Sequence, residues 1–271
     1  MFEYQLGVSV TGITPVITLK NLPLLAESRI ATFEFRQEVF DGDVSGKVRA
    51  ATREMLEKTG KRFISCHIPF TRIDDVSDPE EEIRLCAVSR LRRQLDEAYF
   101  FGSEIIVLHP STEISAEEPR KIRMMQLRKS LWELQDTLHA HRMKLALEWL
   151  PRMCLGNSLE ELKEMLKDLD RNVLGICLDV NHMMGAYSSL PQIVESIGSD
   201  LTTLHLSDYD GIDEKHWMPG EGVIDWEAFL GALRRIHYRG PFNYECRLYG
   251  ENESERIAGF EKNFYEYISK L

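Results

Sequence analysis

Several apolar segments of this chain stop abruptly at an acidic residue or a histidine. The clearest is the segment 173–178, which is followed at once by Asp179 and, three residues later, by His182. Neither side chain suits a buried strand unless it is paired or bound to a ligand. At the end of a strand, an Asp and a His spaced like this can turn inward and reach the same ion. The structural alternative is that Asp179 caps the next helix and His182 packs nearby.

The same pattern recurs along the chain, which weakens that alternative. Strand-like segments end at His67, His109, Glu148, Asp179 with His182, His205 and Glu245, and the loop after His205 adds Glu214 and His216. Two Glu, one Asp and one His from the last four strand ends make a mostly oxygen site with one imidazole. That set suits Mn²⁺, Mg²⁺, Co²⁺ or Zn²⁺ and leaves positions open for substrate oxygens. We therefore expect one divalent metal ion at Glu148, Asp179, His205 and Glu245.

Eight strand-like segments alternate with eight helix-like segments. The predicted strands are 4–9, 31–35, 62–66, 104–108, 144–147, 173–178, 201–204 and 241–244, and the predicted helices are 15–26, 42–58, 80–101, 115–139, 158–169, 191–197, 225–236 and 253–271. This alternation predicts parallel βαβ units, and eight units predict one (β/α)8 TIM barrel domain over residues 1–271. A doubly wound sheet is the competing architecture, but Gly7 and Gly12 do not form its glycine-rich fingerprint.

Local signals refine some of these helices. Asp78 followed by Pro79 predicts the start of the helix 80–101, and Gly102 predicts its end. Leu85 is expected on the apolar stripe of that helix, and Met125 on the inward face of the helix 115–139. Ser158 is expected to cap the helix that follows it.

Composition limits the classes of partner. The chain has 271 residues, 43% hydrophobic and 28% charged, with a net charge of −11. An acidic chain rarely binds a phosphate backbone, so we expect no nucleic acid partner. The five cysteines lack CxxC spacing and are expected to be free thiols. No signal peptide or membrane span is evident, so we expect a cytoplasmic protein, with a homo-oligomer possible.

Aromatic and cationic side chains are expected near the same strand ends. Trp149 and Trp217 are placed to stack on sugar carbons or to shield the mouth of the barrel. Arg152, Lys215 and Arg247 are the nearby cations. Each either binds a phosphate or carboxylate group or pairs with the acidic cluster.

The segments around these strand ends resemble the xylose-isomerase-like TIM-barrel superfamily over nearly the whole chain. The motifs that carry the resemblance include His67-Ile68-Pro69-Phe70, Leu147-Glu148-Trp149-Leu150-Pro151-Arg152, Cys177-Leu178-Asp179-Val180-Asn181-His182, Leu204-His205-Leu206-Ser207-Asp208 and Tyr244-Glu245. This superfamily includes sugar-phosphate isomerases and epimerases, the ketose 3-epimerases and endonuclease IV. The motifs are specific for the superfamily and poorly specific for the substrate.

The ketose 3-epimerase pattern makes the four expected ligands a metal site, with Glu148 and Glu245 as the catalytic acid and base. The resemblance implies a metal-dependent sugar or sugar-phosphate isomerase or epimerase that moves a proton next to a carbonyl, through an enediolate. The substrate-binding residues would be His67, His109, His182, His216, Arg152 and Trp149. The chain departs from the epimerases at Cys154, where they have a glutamate. It also departs at 207–211, where they have an arginine.

The endonuclease IV pattern is the alternative, implying a zinc-dependent phosphodiester hydrolase that acts on abasic DNA. It uses nine ligands for three zinc ions, and the matching residues are His67, His109, Glu148, Asp179, His182, His205, His216 and Glu245, with Glu214 in place of an aspartate. Glu214 is thus a possible additional ligand. His67 and His109 either hold a second ion with Glu148 or donate hydrogen bonds to substrate hydroxyls. We favour the second outcome because one ion suffices for enolisation. A metal-binding carbohydrate sensor is a third, non-catalytic possibility.

Overall fold

Eight parallel strands close into one barrel. The computed structural model describes residues 4–114 and 119–271. Its strands, β1 to β8, are Leu6–Ser9, Thr32–Phe35, Arg62–His67, Ile105–Leu108, Lys144–Glu148, Leu174–Asp179, Leu201–Leu206 and Phe242–Tyr244. Each strand pairs with the next in the sequence, and β8 pairs with β1. The predicted (β/α)8 TIM barrel is therefore confirmed.

Eight α-helices connect and surround these strands. Helices α1 to α8 are Leu22–Glu27, Lys47–Thr59, Glu81–Phe101, Arg120–His141, Leu159–Leu166, Leu190–Ile197, Trp226–Arg235 and Glu253–Lys262. Ser158 caps α5 as predicted, since its hydroxyl accepts a hydrogen bond from the Glu161 amide. None of the described helices is long and apolar enough to cross a membrane. All five cysteines are free, as expected.

The predicted helix 15–26 is mostly wrong, because only Leu22–Glu27 is helical. Thr18 and Asn21 exchange side-chain-to-backbone hydrogen bonds, which satisfy the backbone locally and compete with a helix. Asp78 does not cap α3 either. Its carboxylate accepts from the Glu80 amide, and α3 begins only at Glu81.

Other helix boundaries also differ from the predictions, and one cannot be compared. The helix predicted from residue 42 begins at Lys47, after Gly46 adopts a left-handed conformation at φ 68°. The predicted start at Ser115 lies outside the described residues. Beyond α8, the chain continues as a π-helical turn, Asn263–Tyr267, and a short 3₁₀ turn, Ile268–Lys270.

Two side chains predicted to face inward are exposed. Leu85 is 45% exposed and Met125 is 62% exposed. On α3 the inward position one turn before Val88 is taken by Arg84, which is fully buried. Arg84 remains there because Glu81, Glu133 and Ser130 satisfy its guanidinium. The rest of the predicted stripe of α3 is buried, so apolar residues alone misassigned its first position but not the face of the helix.

The barrel interior changes from apolar to polar towards the carboxyl ends of the strands. A small buried apolar cluster inside the barrel consists of Ile105, Val107, Ala146 and Cys177. Glu148 follows Ala146 by two residues on β5, so its side chain points to the same side one step nearer the strand end. Asp179 lies opposite His205 in the ladder between β6 and β7. The fold thus brings the predicted ligands together at one end of the barrel.

Candidate metal centre

Glu148 lies at the centre of the polar cluster and is 1% exposed. Its Oε2 atom lies 3.1 Å from His67 Nε2 and 3.1 Å from His109 Nε2. Its Oε1 atom lies 3.3 Å from His205 Nδ1. The two oxygens of one carboxylate therefore face two different sets of imidazole nitrogens.

The four expected ligands form one compact group. Glu148, Asp179, His205 and Glu245 each offer a ligand atom, and these atoms all lie within 4.8 Å of one another. His205 Nδ1 lies 2.7 Å from Glu245 Oε2. Asp179 Oδ2 is buried and has no hydrogen-bond partner among the described residues. A buried carboxylate oxygen without a donor is costly, and a cation would satisfy it.

Three further groups among the described residues also have their ligand atoms within 4.8 Å of one another. They are His67 with His205 and Glu245, His67 with His109 and Glu148, and His182 with Glu214 and His216. His182 Nε2 lies 2.8 Å from Glu214 Oε1. All nine residues singled out in the sequence thus lie at one end of the barrel.

Backbone carbonyls fix the tautomers of three of these histidines. His67 Nδ1 lies 2.9 Å from the Ile68 carbonyl oxygen, and His182 Nδ1 lies 2.8 Å from that of Trp149. His216 Nδ1 lies 3.0 Å from the Glu245 carbonyl oxygen. A carbonyl only accepts, so each Nδ1 carries the hydrogen and a neutral ring leaves its lone pair on Nε2.

Two of those lone pairs, on His67 and His182, face carboxylates rather than donors. Two acceptors 2.8–3.1 Å apart, as at His182–Glu214 and His67–Glu148, require a proton or a cation between them. Imidazole nitrogens held this way by a backbone carbonyl are typical of metal ligands. The donor set and its hydrogen bonds therefore fit a divalent metal. His67 was expected to donate to substrate. With this tautomer, its Nε2 would instead accept.

The charges of the cluster depend on one another. Burial raises the pKa of Glu148, but the adjacent His109 and His205 outweigh burial and hold it well below its ordinary value. Burial lowers the pKa of His182, but Asp179 and the other carboxylates raise it to about 10. Burial raises the pKa of Asp179. Without a bound cation, protonated histidine offsets the negative charge of the carboxylates. A divalent ion would offset that charge in its place.

Two residues at the end of β2, Glu34 within the strand and Arg36 just after it, belong to the site, although the sequence did not single them out as site residues. Glu34 is fully buried and contacts His205. Arg36 Nη2 lies 3.1 Å from Glu245 Oε1, and its guanidinium lies 5.0 Å from the centre of the Phe70 ring. The alternation Phe33-Glu34-Phe35 was the available signal. In a barrel both faces of a strand are buried, so a Glu between two core residues points towards the interior.

The remaining predicted substrate contacts take different positions. Arg152 pairs with Asp213 and Glu214, each at 2.6 Å, so it braces the loop that carries Glu214. The Trp149 side chain is only 6% exposed and belongs to the core. Phe70 is 44% exposed and stacks on His109 with the ring centres 4.3 Å apart. Phe70 therefore offers the more accessible aromatic face, while binding of substrate by Arg152 and Trp149 stays a prediction.

The loop after β7 is anchored by one buried carboxylate. Asp208 accepts hydrogen bonds from the amides of Tyr209, Gly220 and Ile224 and from the Trp226 indole. Gly222 packs so closely that a Cβ there would lie 2.1 Å from the Tyr209 carbonyl oxygen. Asp208 lies in the segment where the ketose 3-epimerase pattern has an arginine. Here that segment fixes the loop that carries Glu214 and His216.

A cavity of about 300 Å³ opens beside the site. It is lined by His216, Glu245, Thr11, Lys215, Cys246, Arg247 and Leu248. A larger groove of about 710 Å³ lies at the opposite end of the barrel, and its described lining residues include none of the candidate ligands. Since catalytic groups in these barrels lie at the carboxyl ends of the strands, the smaller cavity is the one next to the candidate site.

Curated relatives include both kinds of enzyme that the sequence suggested. An uncharacterised protein of Methanocaldococcus jannaschii is 29% identical over 67% of this chain and 64% of its own length. Inosose isomerase of Bacillus subtilis is 27% identical over 56% of this chain and 59% of its own length. A probable endonuclease 4 of Acholeplasma laidlawii is 23% identical over 73% of this chain and 65% of its own length. The chain thus spans less than two thirds of the length of each of these three relatives.

Solved structures share the whole architecture. A D-tagatose 3-epimerase-like protein superposes with a TM-score of 0.80 at 22% identity, covering 98% of both chains. The IOLI protein, solved with a bound zinc atom, superposes with a TM-score of 0.81 at 18% identity, again over 98% of both chains. At these identities the likeness shows the fold. A family model matches residues 23–264, and the chain belongs to the xylose isomerase-like TIM barrel family.

Proposed function

We propose that this protein is a metal-dependent sugar or sugar-phosphate isomerase or epimerase. The observation that carries the proposal is the pair of glutamates around one imidazole nitrogen. His205 Nδ1 lies 2.7 Å from Glu245 Oε2 and 3.3 Å from Glu148 Oε1. Two carboxylates in one metal-binding group are what proton removal and proton return next to a carbonyl require. The relatives named inosose isomerase and D-tagatose 3-epimerase-like protein support the substrate class.

The residues of the proposed site have different roles in binding the ion and in moving the proton. Glu148, Asp179, His205 and Glu245 would hold the ion, which when bound supplies Lewis-acid stabilisation of negative charge that develops on substrate oxygens. Glu148 would take a proton from the carbon next to the carbonyl, and Glu245 would return one, or the reverse. The pKa of Glu148 is held well below its ordinary value by His109 and His205, so its carboxylate is ionised before substrate binds. Histidine nitrogens not engaged with an ion would bind substrate hydroxyls.

The first test combines a metal count with proton exchange. Purified protein is analysed for metal per chain and then assayed with ketoses, ketose phosphates and inososes in deuterated water. We expect about one ion per chain and incorporation of deuterium next to the carbonyl. Glu148→Gln and Glu245→Gln should each lower exchange at least about 100-fold, because general acid–base catalysis contributes about that much.

Glu195→Gln is the matched control, since Glu195 is an exposed carboxylate on α6 that pairs with Arg235. It should exchange like the wild type. Exchange that persists unchanged in both Glu148→Gln and Glu245→Gln would contradict the proposal.

A zinc-dependent phosphodiester hydrolase is the second candidate function. The observation in its favour is the presence of four adjoining ligand groups among the described residues, two of which share Glu148. Clustered ions are what in-line phosphodiester cleavage gains from. A count of three ions per chain in the same elemental analysis would favour this candidate over the isomerase.

A further inference from the structure

Glu34 is a buried acid for which the candidate metal groups give no role. It is fully buried in β2, and the ligand groups found among the described residues leave it out. Its Oε2 atom accepts a hydrogen bond from Ser65 Oγ at 2.8 Å. The ladder places it beside Ser9 and Ser65, whose small side chains leave room for it. An ionised carboxylate in such a place loses its hydration, and its hydrogen-bonding partners must offset the free energy of that desolvation.

The main partner of Glu34 is the far side of His205. His205 Nε2 lies 3.0 Å from Glu34 Oε1 and 3.2 Å from Glu34 Oε2. His205 Nδ1, on the other side of the ring, faces Glu148 and Glu245. A neutral imidazole carries one hydrogen, so a carboxylate at Nε2 draws that hydrogen there and leaves the lone pair on Nδ1.

We propose that Glu34 is a positioning residue that fixes the tautomer and orientation of His205, so that Nδ1 presents its lone pair to the metal. This inference rests on the metal centre proposed above. The other three histidines with fixed tautomers donate to neutral backbone carbonyls, whereas His205 donates to a carboxylate. A carboxylate partner also makes the ligand nitrogen more basic, which strengthens its bond to a cation.

The test measures metal affinity rather than turnover. Mn²⁺ or Zn²⁺ is titrated against a chromophoric chelator for the wild type, Glu34→Ala and Glu34→Gln. The loss of an outer partner of a ligand histidine typically weakens metal binding about 10- to 100-fold, and we expect a loss in that range for Glu34→Ala. Glu34→Gln keeps an oxygen that can accept from Nε2 but removes the charge, so its Kd should lie between those of the wild type and Glu34→Ala.

Asp75→Asn is the matched control, because Asp75 is also a buried carboxylate with hydrogen-bonded partners. It accepts from Ser77 and Arg123 and lies outside the ligand groups. The free energy of unfolding without metal is measured for every variant. Asp75→Asn should lose stability and keep the wild-type Kd, whereas the Glu34 variants should lose affinity beyond any loss of stability.

The outcomes separate this inference from the proposed function. A wild type that binds no divalent ion overturns the metal centre itself. If the wild type binds an ion and both Glu34 variants keep its Kd, Glu34 only fills space and the inference fails. If Glu34→Ala does not fold, Glu34→Gln decides alone: a wild-type Kd overturns the inference, and a weakened Kd supports it.

Discussion

At the scale of single residues, the geometry of Glu148 fits either one ion or several. Its two oxygens point to different sets of histidines, as the carboxylate of a bridging ligand would. The same arrangement suits a base next to one ion, with His67 and His109 left to bind substrate. Cys154 contributes to neither arrangement. Burial raises its pKa to about 11, so the thiol stays neutral and does not replace the glutamate of the epimerase pattern.

The double variant His67→Ala with His109→Ala distinguishes these two arrangements. On the isomerase proposal it keeps about one tightly bound ion per chain and turns over sugar poorly, because the principal ligand group does not include either histidine. Elemental analysis and deuterium exchange measure the two effects.

His139→Ala with His141→Ala is the matched control, since both rings lie near the carboxyl end of α4 and pair with Asp170 and Asp96. A wild type with two or three ions and a double variant that loses one would make the histidines ligands.

At the scale of elements, the loop after β7 depends on Asp208, whose carboxylate holds four N–H groups. Asp208→Ala leaves these donors without an acceptor. We expect the free energy of unfolding to fall by about 3 kcal/mol, because each buried unsatisfied donor costs about 1–3 kcal/mol and part of the loop can relax. Urea unfolding measures the change.

Asp213→Ala is the control in the same loop. Asp213 is half exposed and pairs with Arg152, so its loss should change the free energy of unfolding by no more than about 0.5 kcal/mol. Equal effects of the two variants would show that Asp208 does not anchor the loop.

The sequence predicted the order of the strands and the polar side chains at their ends, because most apolar segments stop at an acidic residue or a histidine that the fold brings to one end of the barrel. It predicted helix faces and boundaries less well. Arg84 takes an inward position that hydrophobicity assigns to an apolar residue, and Asn21 replaces helical hydrogen bonds with its own. Glu34 and Arg36 were missed as site residues for a related reason. Their roles come from His205 and Glu245, partners about two hundred residues away, and no local pattern encodes such a pairing.

At the scale of the whole molecule, the barrel gathers residues from seven of its eight strand ends into one site. We propose that residues 1–271 form a single domain, since β8 closes on β1 and the closing helices follow directly. The site is lined by carboxylates and histidines, and two nearby arginines pair with carboxylates. Arg36 pairs with Glu245, and Arg152 pairs with Asp213 and Glu214. On the proposed function, a bound ion would supply most of the positive charge that faces the substrate.

The net charge of the whole chain predicts that it binds DNA only weakly. A net charge of −11 opposes a phosphate backbone, whose binding depends on Lys and Arg that release counterions. We expect fluorescence anisotropy to show a Kd for abasic duplex DNA on the order of 10⁻⁴ M or weaker at physiological salt. Gel assays should show no nicking of the abasic strand, with or without added Zn²⁺. Glu148→Gln is run beside the wild type. Nicking that the wild type performs and Glu148→Gln does not would place the hydrolase ahead of the isomerase, whatever the charge balance of the chain.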